Sequence, residues 1–180
     1  MTGDGVAAPD TAAPPLRRTA LFEVHRALGA RLTEFGGWEM PLQYAGIIEE
    51  HRTVRSRAGL FDLSHMGEVW VAGPEAGRAL AWALVSDPQR LVVGRAHYSM
   101  ICAPDGGIID DLIVYRTSQD RFLVVPNAGN AATVSDAIAE RVARFDATLD
   151  DASERTSLVA IQGPLARDRK STRLNSSHRL

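Results

Sequence analysis

Apolar residues recur with two different spacings along this chain, and each spacing predicts one kind of secondary structure. The clearest stretch is HYSMICAPDGGIIDDLIVYR, residues 97–116, in which two apolar runs flank the turn Pro104-Asp105-Gly106-Gly107. Proline presets the turn and glycine tolerates positive φ, so the stretch predicts a β-hairpin. A polar turn at residues 118–120 leads to a third predicted strand, RFLVVPN.

Apolar residues three or four positions apart predict helices elsewhere. The first predicted helix is Thr19–Leu28, with Thr19 as N-cap, an apolar stripe of Leu21, Val24 and Leu28, and Gly29 as its end. A second helix is predicted at about Gly46–Arg57. Gly73-Pro74-Glu75 opens a third, with Leu80 and Leu84 facing the core, and a fourth runs through Val134, Ile138, Val142 and Phe145.

The remaining segments complete the predicted fold. FGGWEMP, residues 35–41, predicts a loop that holds Trp38, because two glycines and a proline punctuate it. Further strands are predicted at about Glu68–Ala72 and Ser157–Pro164. Strand meanders interrupted by helices, without strict βαβ alternation, predict an α+β domain on a mostly antiparallel sheet.

The composition narrows the class of protein. The chain has 180 residues, 45% hydrophobic and 23% charged, which suffices for one globular domain with a core. A single cysteine, Cys102, excludes an internal disulfide framework, fits a reducing compartment and reads as an apolar strand residue. With a net charge of −2 and no apolar run near ~20 residues, we expect a cytoplasmic protein that binds neither nucleic acid nor membrane.

The two ends differ from the body in composition. Residues 1–18 are rich in Ala, Pro and Gly and predict a disordered extension ahead of a domain at 19–167. Residues 168–178, DRKSTRLNSSH, match the translation of a common sequencing-library adapter over eleven consecutive positions. We therefore expect 168–180 to be a non-native tail, with the natural sequence continuing beyond Arg167.

Two adjacent carboxylates, Asp110 and Asp111, interrupt the apolar run after the hairpin turn. Burying an unpaired carboxylate costs on the order of several kcal/mol, so such a charge is paired, protonated or reserved for a ligand. Asp110 is nearer the turn, and we expect it to be solvated or to cap the turn. Asp111 lies deeper, shares a strand face with Tyr115, and is the better candidate for chemistry. The alternative is a carboxylate paired with an arginine.

Several long segments are recognisable together: TALFEVHRALGARLTEFGGWEMPLQY, GLFDLSHMGEVWVAGPEA, HYSMICAPDGGIIDDLIVYR and VVPNAGN. They resemble, in order from about Thr19 to Ala166, the T-protein of the glycine cleavage system, aminomethyltransferase. The resemblance implies the folate-binding domain of the aminomethyltransferase type. It also implies a tetrahydrofolate-dependent transferase, without a metal, that moves the one-carbon unit of an aminomethyl-lipoyl H-protein to tetrahydrofolate and releases ammonia.

The resemblance also implies a set of site residues. The family's key acid falls on Asp111, which is expected to orient the folate and assist proton movement. Met66, Tyr98, Tyr115 and Asn127 match positions that line the pterin site; the alternative for each is core packing, or a turn for Asn127. Pro126 departs from the residue expected before this asparagine, and since proline lacks an N–H, the strand is expected to end there.

Length and related families leave alternatives open. Family members are roughly twice this length or more, so we expect the chain to be an N-terminal fragment that is inactive alone. A different class of function is a non-catalytic folate-binding module, like the repair factors for iron–sulfur enzymes that share the fold. A third is the folate domain of a sarcosine or dimethylglycine dehydrogenase. The predicted disordered start directly after Met1 argues against this third alternative.

Overall fold

The structure is a computed structural model that describes residues 15–167. Within this range it contains four α-helices: α1 (Phe22–Ala27), α2 (Ile47–Ser56), α3 (Ala76–Ala83) and α4 (Ala131–Val142). The strands of the same range are β1 (Arg31–Phe35), β2 (Trp38–Gln43), β3 (Gly59–Asp62), β4 (Val69–Ala72), β5 (Ala96–Cys102), β6 (Ile108–Arg116), β7 (Arg121–Pro126), β8 (Thr148–Asp151) and β9 (Val159–Gln162). A short 3-10 helix, Pro88–Arg90, precedes β5.

The centre of the fold is a five-stranded antiparallel sheet in the order β5-β6-β7-β4-β8. Two small two-stranded sheets accompany it, the hairpin β1-β2 and the pair β3-β9. Consecutive strands β5, β6 and β7 are neighbours because short turns join them: β5 and β6 by the turn that proline and glycine specify, and β6 and β7 by the polar turn at residues 117–120. Gly106 supplies the positive φ, 89°, that the first turn requires.

Helices α3 and α4 cover one face of this sheet and close the core. Alternate residues of each strand point at the helices, as period-2 patterning requires. The largest side chains in this core are fully buried: Phe122, Leu80, Ile101, Leu112, Ile138, Val69, Val71, Val114, Val124 and Val134. Burial of a side chain of this size contributes about 1.5–3 kcal/mol, so this layer holds the sheet and the two helices together.

The opposite face of β5 and β6 is open. Tyr98, Met100 and Tyr115 lie on it, with exposed fractions of 68%, 36% and 40%. These are apolar or aromatic side chains, and their position on one sheet face makes a continuous uncovered surface. Asp111 lies on the same face, because it pairs with Met100 across the β5-β6 ladder.

Most of the predicted elements are confirmed. The hairpin β5-β6, the third strand β7, and helices α2, α3 and α4 lie where the spacing predicts them. Strand β7 ends at Pro126, as expected from a residue that cannot donate to the ladder. The α+β class with a mostly antiparallel sheet is also confirmed.

Several predictions near the N-terminus are wrong. Residues 35–41 span the end of β1, a hairpin turn and the first four residues of β2, with the glycines at the turn and Trp38 and Met40 buried on alternate positions. Thr19 does not cap α1; its hydroxyl donates to Asp62 instead. The buried residues of α1 are Phe22 and His25, whereas Val24 and Leu28 are exposed.

The expected disorder of residues 1–18 does not extend to the last four of them. Arg17 forms a bridge with Trp38, and its main chain bonds to Gly37 and Glu39. Residues 1–14, like the predicted tail 168–180, lie outside the described residues. Strands β3 and β8 are not among the predicted elements, because each has four residues and neither alternates cleanly.

Candidate functional site

The site is built around Asp111, on the open face of β6. The phenol of Tyr98, on the neighbouring strand, donates a 2.5 Å hydrogen bond to Asp111 Oδ2. This bond and the nearby negative charge raise the pKa of the Tyr98 hydroxyl above its usual value. The phenol therefore stays protonated and keeps donating at neutral pH.

Asn127 approaches Asp111 from the end of β7. Its amide nitrogen Nδ2 lies 2.9 Å from the main-chain oxygen of Asp111 and 3.3 Å from Oδ1. The local sequence explains this position. Strand β7 ends at Pro126, which pairs with Leu112 and has no N–H to donate. The hydrogen bond to the main-chain oxygen of Asp111 comes instead from the side chain of Asn127. Asn127 continues the ladder with its amide and at the same time contacts the carboxylate.

Asp110 points to the other side of the sheet and is buried, with 5% of its surface exposed. It accepts hydrogen bonds from the Asn127 main-chain N–H, the Asn127 Nδ2 and the Asn130 Nδ2, at 2.9–3.0 Å. The expectation that Asp110 is solvated or caps the hairpin turn is therefore wrong. The carboxylate is satisfied by amide donors at the start of α4, where the helix dipole also favours negative charge.

Neither aspartate forms an ion pair with an arginine within residues 15–167. The alternative of a carboxylate paired with arginine thus does not describe these two residues. Asp110 is satisfied by neutral amides, whereas Asp111 keeps free lone pairs, since a carboxylate accepts about four hydrogen bonds. Asp111 is the member of the pair with capacity left for a ligand.

Met66 lies in the tight turn between β3 and β4, half-buried. The turn is placed by Gly67, whose N–H donates to the Pro126 oxygen at 3.2 Å. A Cβ on Gly67 would lie 2.8 Å from Pro126 Cγ and 2.9 Å from Ala131 Cβ, so only glycine allows this approach. The turn with Met66 is thereby packed against the residue that precedes Asn127.

A buried polar network holds the start of the same turn. Asp62 accepts hydrogen bonds from the Thr19 hydroxyl (2.6 Å) and the Ser64 N–H (2.9 Å), and it pairs with His25 Nε2 at 2.9 Å. Burial raises the pKa of Asp62, but the bonds from His25, Ser64 and Thr19 outweigh it and leave the pKa below its usual value. Asp62 is therefore an ionised anchor for the turn. Sequence reasoning missed it.

Tyr115 shares the open face with Asp111 but lies four residues further along β6, roughly 13 Å away at strand spacing. The structure thus joins Tyr98, Asn127 and Asp111 by direct hydrogen bonds and places Met66 and Tyr115 at the margins of the same region. Asp110 and Gly67 were missed as contributors. The sequence signal for Gly67 is its position next to Met66. Its φ is not positive, so glycine is needed there for the close approach to Pro126 and Ala131 and not for the backbone conformation.

The arrangement offers a carboxylate, a phenol and an amide beside apolar and aromatic surface. Such a surface is suited to pack against a flat heterocycle, and the free lone pairs of Asp111 are able to accept hydrogen bonds from N–H groups of such a ring. In the part of the chain that the structure describes, no three His, Cys, Asp or Glu residues stand together as metal ligands. Within the same range, no helix is long and apolar enough to cross a bilayer.

Comparisons with known proteins give a consistent result. Residues 21–175 match the family described as the GCVT N-terminal domain. The chain is 56% identical over 152 residues to an aminomethyltransferase of Saccharopolyspora erythraea, covering 84% of this chain and 41% of that protein. It is 56% identical over 149 residues to an aminomethyltransferase of Streptomyces coelicolor, covering 83% and 40%.

A solved structure also resembles the fold. The glycine cleavage system aminomethyltransferase T from Bartonella henselae superposes with a TM-score of 0.79 at 37% sequence identity. The match covers 87% of this chain and 43% of that one. The chain therefore spans about 40% of the length of the relatives it matches.

Proposed function

The chain belongs to the family of the GCVT N-terminal domain, and from this we propose that it is the tetrahydrofolate-binding part of a glycine cleavage aminomethyltransferase. The whole enzyme transfers the one-carbon unit of an aminomethyl-lipoyl H-protein to tetrahydrofolate and releases ammonia. The chain covers about 40% of its relatives, so catalysis is assigned to the full-length protein.

One observation carries the proposal: Asp111 is fixed between Tyr98 and Asn127 on an open apolar sheet face. Folate presents a flat, nitrogen-rich pterin, which needs an acceptor for its N–H groups and an apolar surface for its ring. Asp111 supplies the acceptor. Met66, Tyr98 and Tyr115 supply the surface around it.

The chemistry requires movement of two protons. In the transfer, the carbon–sulfur and carbon–nitrogen bonds of the aminomethyl group break, and the carbon forms bonds to two folate nitrogens. The two N–H protons released by folate go to the lipoyl sulfur and to the departing ammonia. Asp111 orients the pterin and accepts hydrogen bonds from folate nitrogens, which aids proton removal as a nitrogen attacks.

The lipoylated H-protein is the second partner of the proposed reaction. Its lipoyl arm carries the aminomethyl group to the folate, so the reacting carbon must reach the region of Asp111. The exposure of Tyr98 and Tyr115 supports access from the open side of the sheet.

The proposal is tested in a full-length chimera. Residues 15–167 of this chain replace the equivalent part of the Saccharopolyspora erythraea relative, which supplies the remaining length. With aminomethylated H-protein and tetrahydrofolate, the chimera is expected to form methylenetetrahydrofolate. Asp111→Asn is expected to lower kcat by about a hundredfold or more, because it removes the positioned base.

The matched control is Asp136→Asn, the same chemical change at an exposed position of α4. It is expected to leave turnover unchanged. An active chimera that tolerates Asp111→Asn contradicts the role of Asp111. A chimera that binds folate but shows no turnover with H-protein supports instead a non-catalytic folate-binding module.

A further inference from the structure

Asn127 forms hydrogen bonds to both aspartates of the site: its side-chain amide contacts Asp110 and Asp111, and its main-chain N–H contacts Asp110. Its Nδ2 lies within bonding distance of Asp110 Oδ1 (3.0 Å), the Asp111 main-chain oxygen (2.9 Å) and Asp111 Oδ1 (3.3 Å). Its main-chain N–H donates to the second oxygen of Asp110 at 2.9 Å. Asp110 thus accepts hydrogen bonds from both the main chain and the side chain of Asn127.

This double contact fixes which way the amide faces. Carboxylate and carbonyl oxygens only accept hydrogen bonds, so the NH2 group must point at them and the Oδ1 atom must point away. Without Asp110, the amide would lose one of its charged acceptors and its main-chain anchor. Only the two acceptors of Asp111 would then hold its orientation.

We propose that Asp110 is a positioning residue, which holds Asn127 so that the amide fixes Asp111 for the reaction. This inference rests on the proposed function and deepens it. Asp110 lies on the buried face of the sheet and acts on the open face through Asn127. The adjacent aspartates therefore have different tasks, one inside the core and one at the substrate surface.

The burial of Asp110 favours this role over a merely local cap. Its carboxylate has three amide donors at 2.9–3.0 Å and little exposed surface. Buried networks that are fully satisfied restrict their members to one arrangement. Asn130, the N-cap residue that precedes α4, completes the network by donating to Asp110.

The test compares Asp110→Asn with Asp136→Asn in the full-length chimera. Asp110→Asn keeps the volume but leaves one accepting oxygen in place of two, so its NH2 group opposes either the main-chain N–H or the side-chain amide of Asn127, and Asn127 is expected to shift. We expect kcat/KM to fall by about a hundredfold, since small displacements of a reacting group have effects of that size. Asp136→Asn, the same chemical change at an exposed position of α4, is the matched control and is expected to stay within about twofold.

A second measurement separates positioning from loss of stability. Asp110→Asn is repeated in the Asp111→Asn background, where a residue acting through Asp111 has nothing left to disturb. We expect no further loss there. An equal loss in both backgrounds, or unchanged turnover of folded Asp110→Asn, overturns the proposal. If Asp110→Asn does not fold, Asp110→Ser serves in its place, because its hydroxyl still accepts one bond and adds no opposing NH2.

Crystal structures supply a readout that does not depend on turnover. In Asp110→Asn, the Asn127 Nδ2 is expected to leave the main-chain oxygen of Asp111. An Asn127 amide that keeps this contact overturns the proposal. If the unsubstituted chimera has no transferase activity, the proposed function fails, while this structural comparison still decides the role of Asp110.

Discussion

Tyr98 and Asp111 lie on neighbouring strands, and the phenol of one donates a 2.5 Å hydrogen bond to the carboxylate of the other. In the β5-β6 register, Tyr98 is opposite Ile113 and Asp111 is opposite Met100. The two residues are therefore diagonal neighbours on one face, within the reach of a long aromatic side chain. The hairpin turn sets this register, so a turn remote from the site decides which tyrosine meets the carboxylate.

Tyr98→Phe is expected to weaken catalysis without unfolding the protein. The ring is retained, and the lost hydroxyl is exposed, so the thermal midpoint is expected to shift by less than about 2 °C. The value of kcat/KM of the full-length chimera is expected to fall by about tenfold, because Asp111 loses a partner that orients it.

A double-mutant cycle with Asp111→Asn isolates this effect. If Tyr98 acts through Asp111, Tyr98→Phe has little further effect once the carboxylate is gone. An equal loss of activity in both backgrounds would show that Tyr98 contributes separately, for example as a surface for the ring.

Sequence patterns predict the arrangement of side chains better within one strand than where several loops meet. The opposite faces of Asp110 and Asp111 follow from strand alternation alone. Their tasks do not, because the donors that satisfy Asp110 come from residues 127 and 130, beyond a strand and a turn. Asp110 is nearer the hairpin turn than Asp111, yet it is the more buried of the two. Closeness to the turn along the chain therefore does not predict exposure to solvent here.

The N-terminal region shows the same limit for the fold. Trp38 and Met40 alternate with polar neighbours and are buried, but the glycines and proline around them also predict a loop. The two glycines form the turn of a hairpin. Pro41 is tolerated because β2 is paired along its length with β1, while in the described residues the bridge on its other side is limited to Arg17 and Trp38. Only tertiary pairing distinguishes the two outcomes.

Gly67→Ala is expected to disturb the turn that carries Met66. The added Cβ would lie 2.8 Å from Pro126 Cγ and 2.9 Å from Ala131 Cβ, closer than carbon atoms approach each other. Relief requires the turn to move away from Asn127, with a loss of about 1–3 kcal/mol in the free energy of unfolding. Urea unfolding of the chain measures this loss, and the affinity of the chimera for tetrahydrofolate is expected to fall as well.

Gly129→Ala is the matched control for this substitution. A Cβ at Gly129 meets no heavy atom within 4 Å, and its φ is not in the left-handed region. Its effect on the free energy of unfolding is expected to stay within about 0.5 kcal/mol. Equal effects of the two substitutions would rule out the close approach at Gly67 as the reason for glycine there.

Glu68 is expected to make the stability of the chain depend on pH. Its side chain is 3% exposed, and neither carboxylate oxygen has a hydrogen-bond partner within residues 15–167. The nearby Thr156 hydroxyl donates to the Ala152 oxygen instead. Burial, with a smaller effect of the Asp151 charge, raises the pKa of Glu68 to about 7.

The sign of the effect follows from the two protonation states. Below the usual pKa of glutamate, Glu68 is protonated in both the folded and the unfolded chain and has no effect. As pH rises towards 7, the unfolded chain releases the proton first, so the folded state loses stability. The free energy of unfolding is expected to fall by up to about 3 kcal/mol across this range and to change no further above it.

Glu68→Gln is expected to remove this dependence, because the amide does not titrate and has nearly the same volume. The difference in free energy of unfolding between Glu68→Gln and the parent chain is therefore expected to grow in favour of the variant between pH 5 and about 7. Burial of His65 lowers its pKa and makes stability fall as pH falls through the histidine range, but this contribution is common to both proteins and cancels in the difference.

Glu140→Gln, at an exposed position of α4, serves as the control and is expected to parallel the parent. Urea unfolding at several pH values decides the matter: parallel curves for Glu68→Gln and the parent would mean that Glu68 is already charged in the folded chain at pH 5.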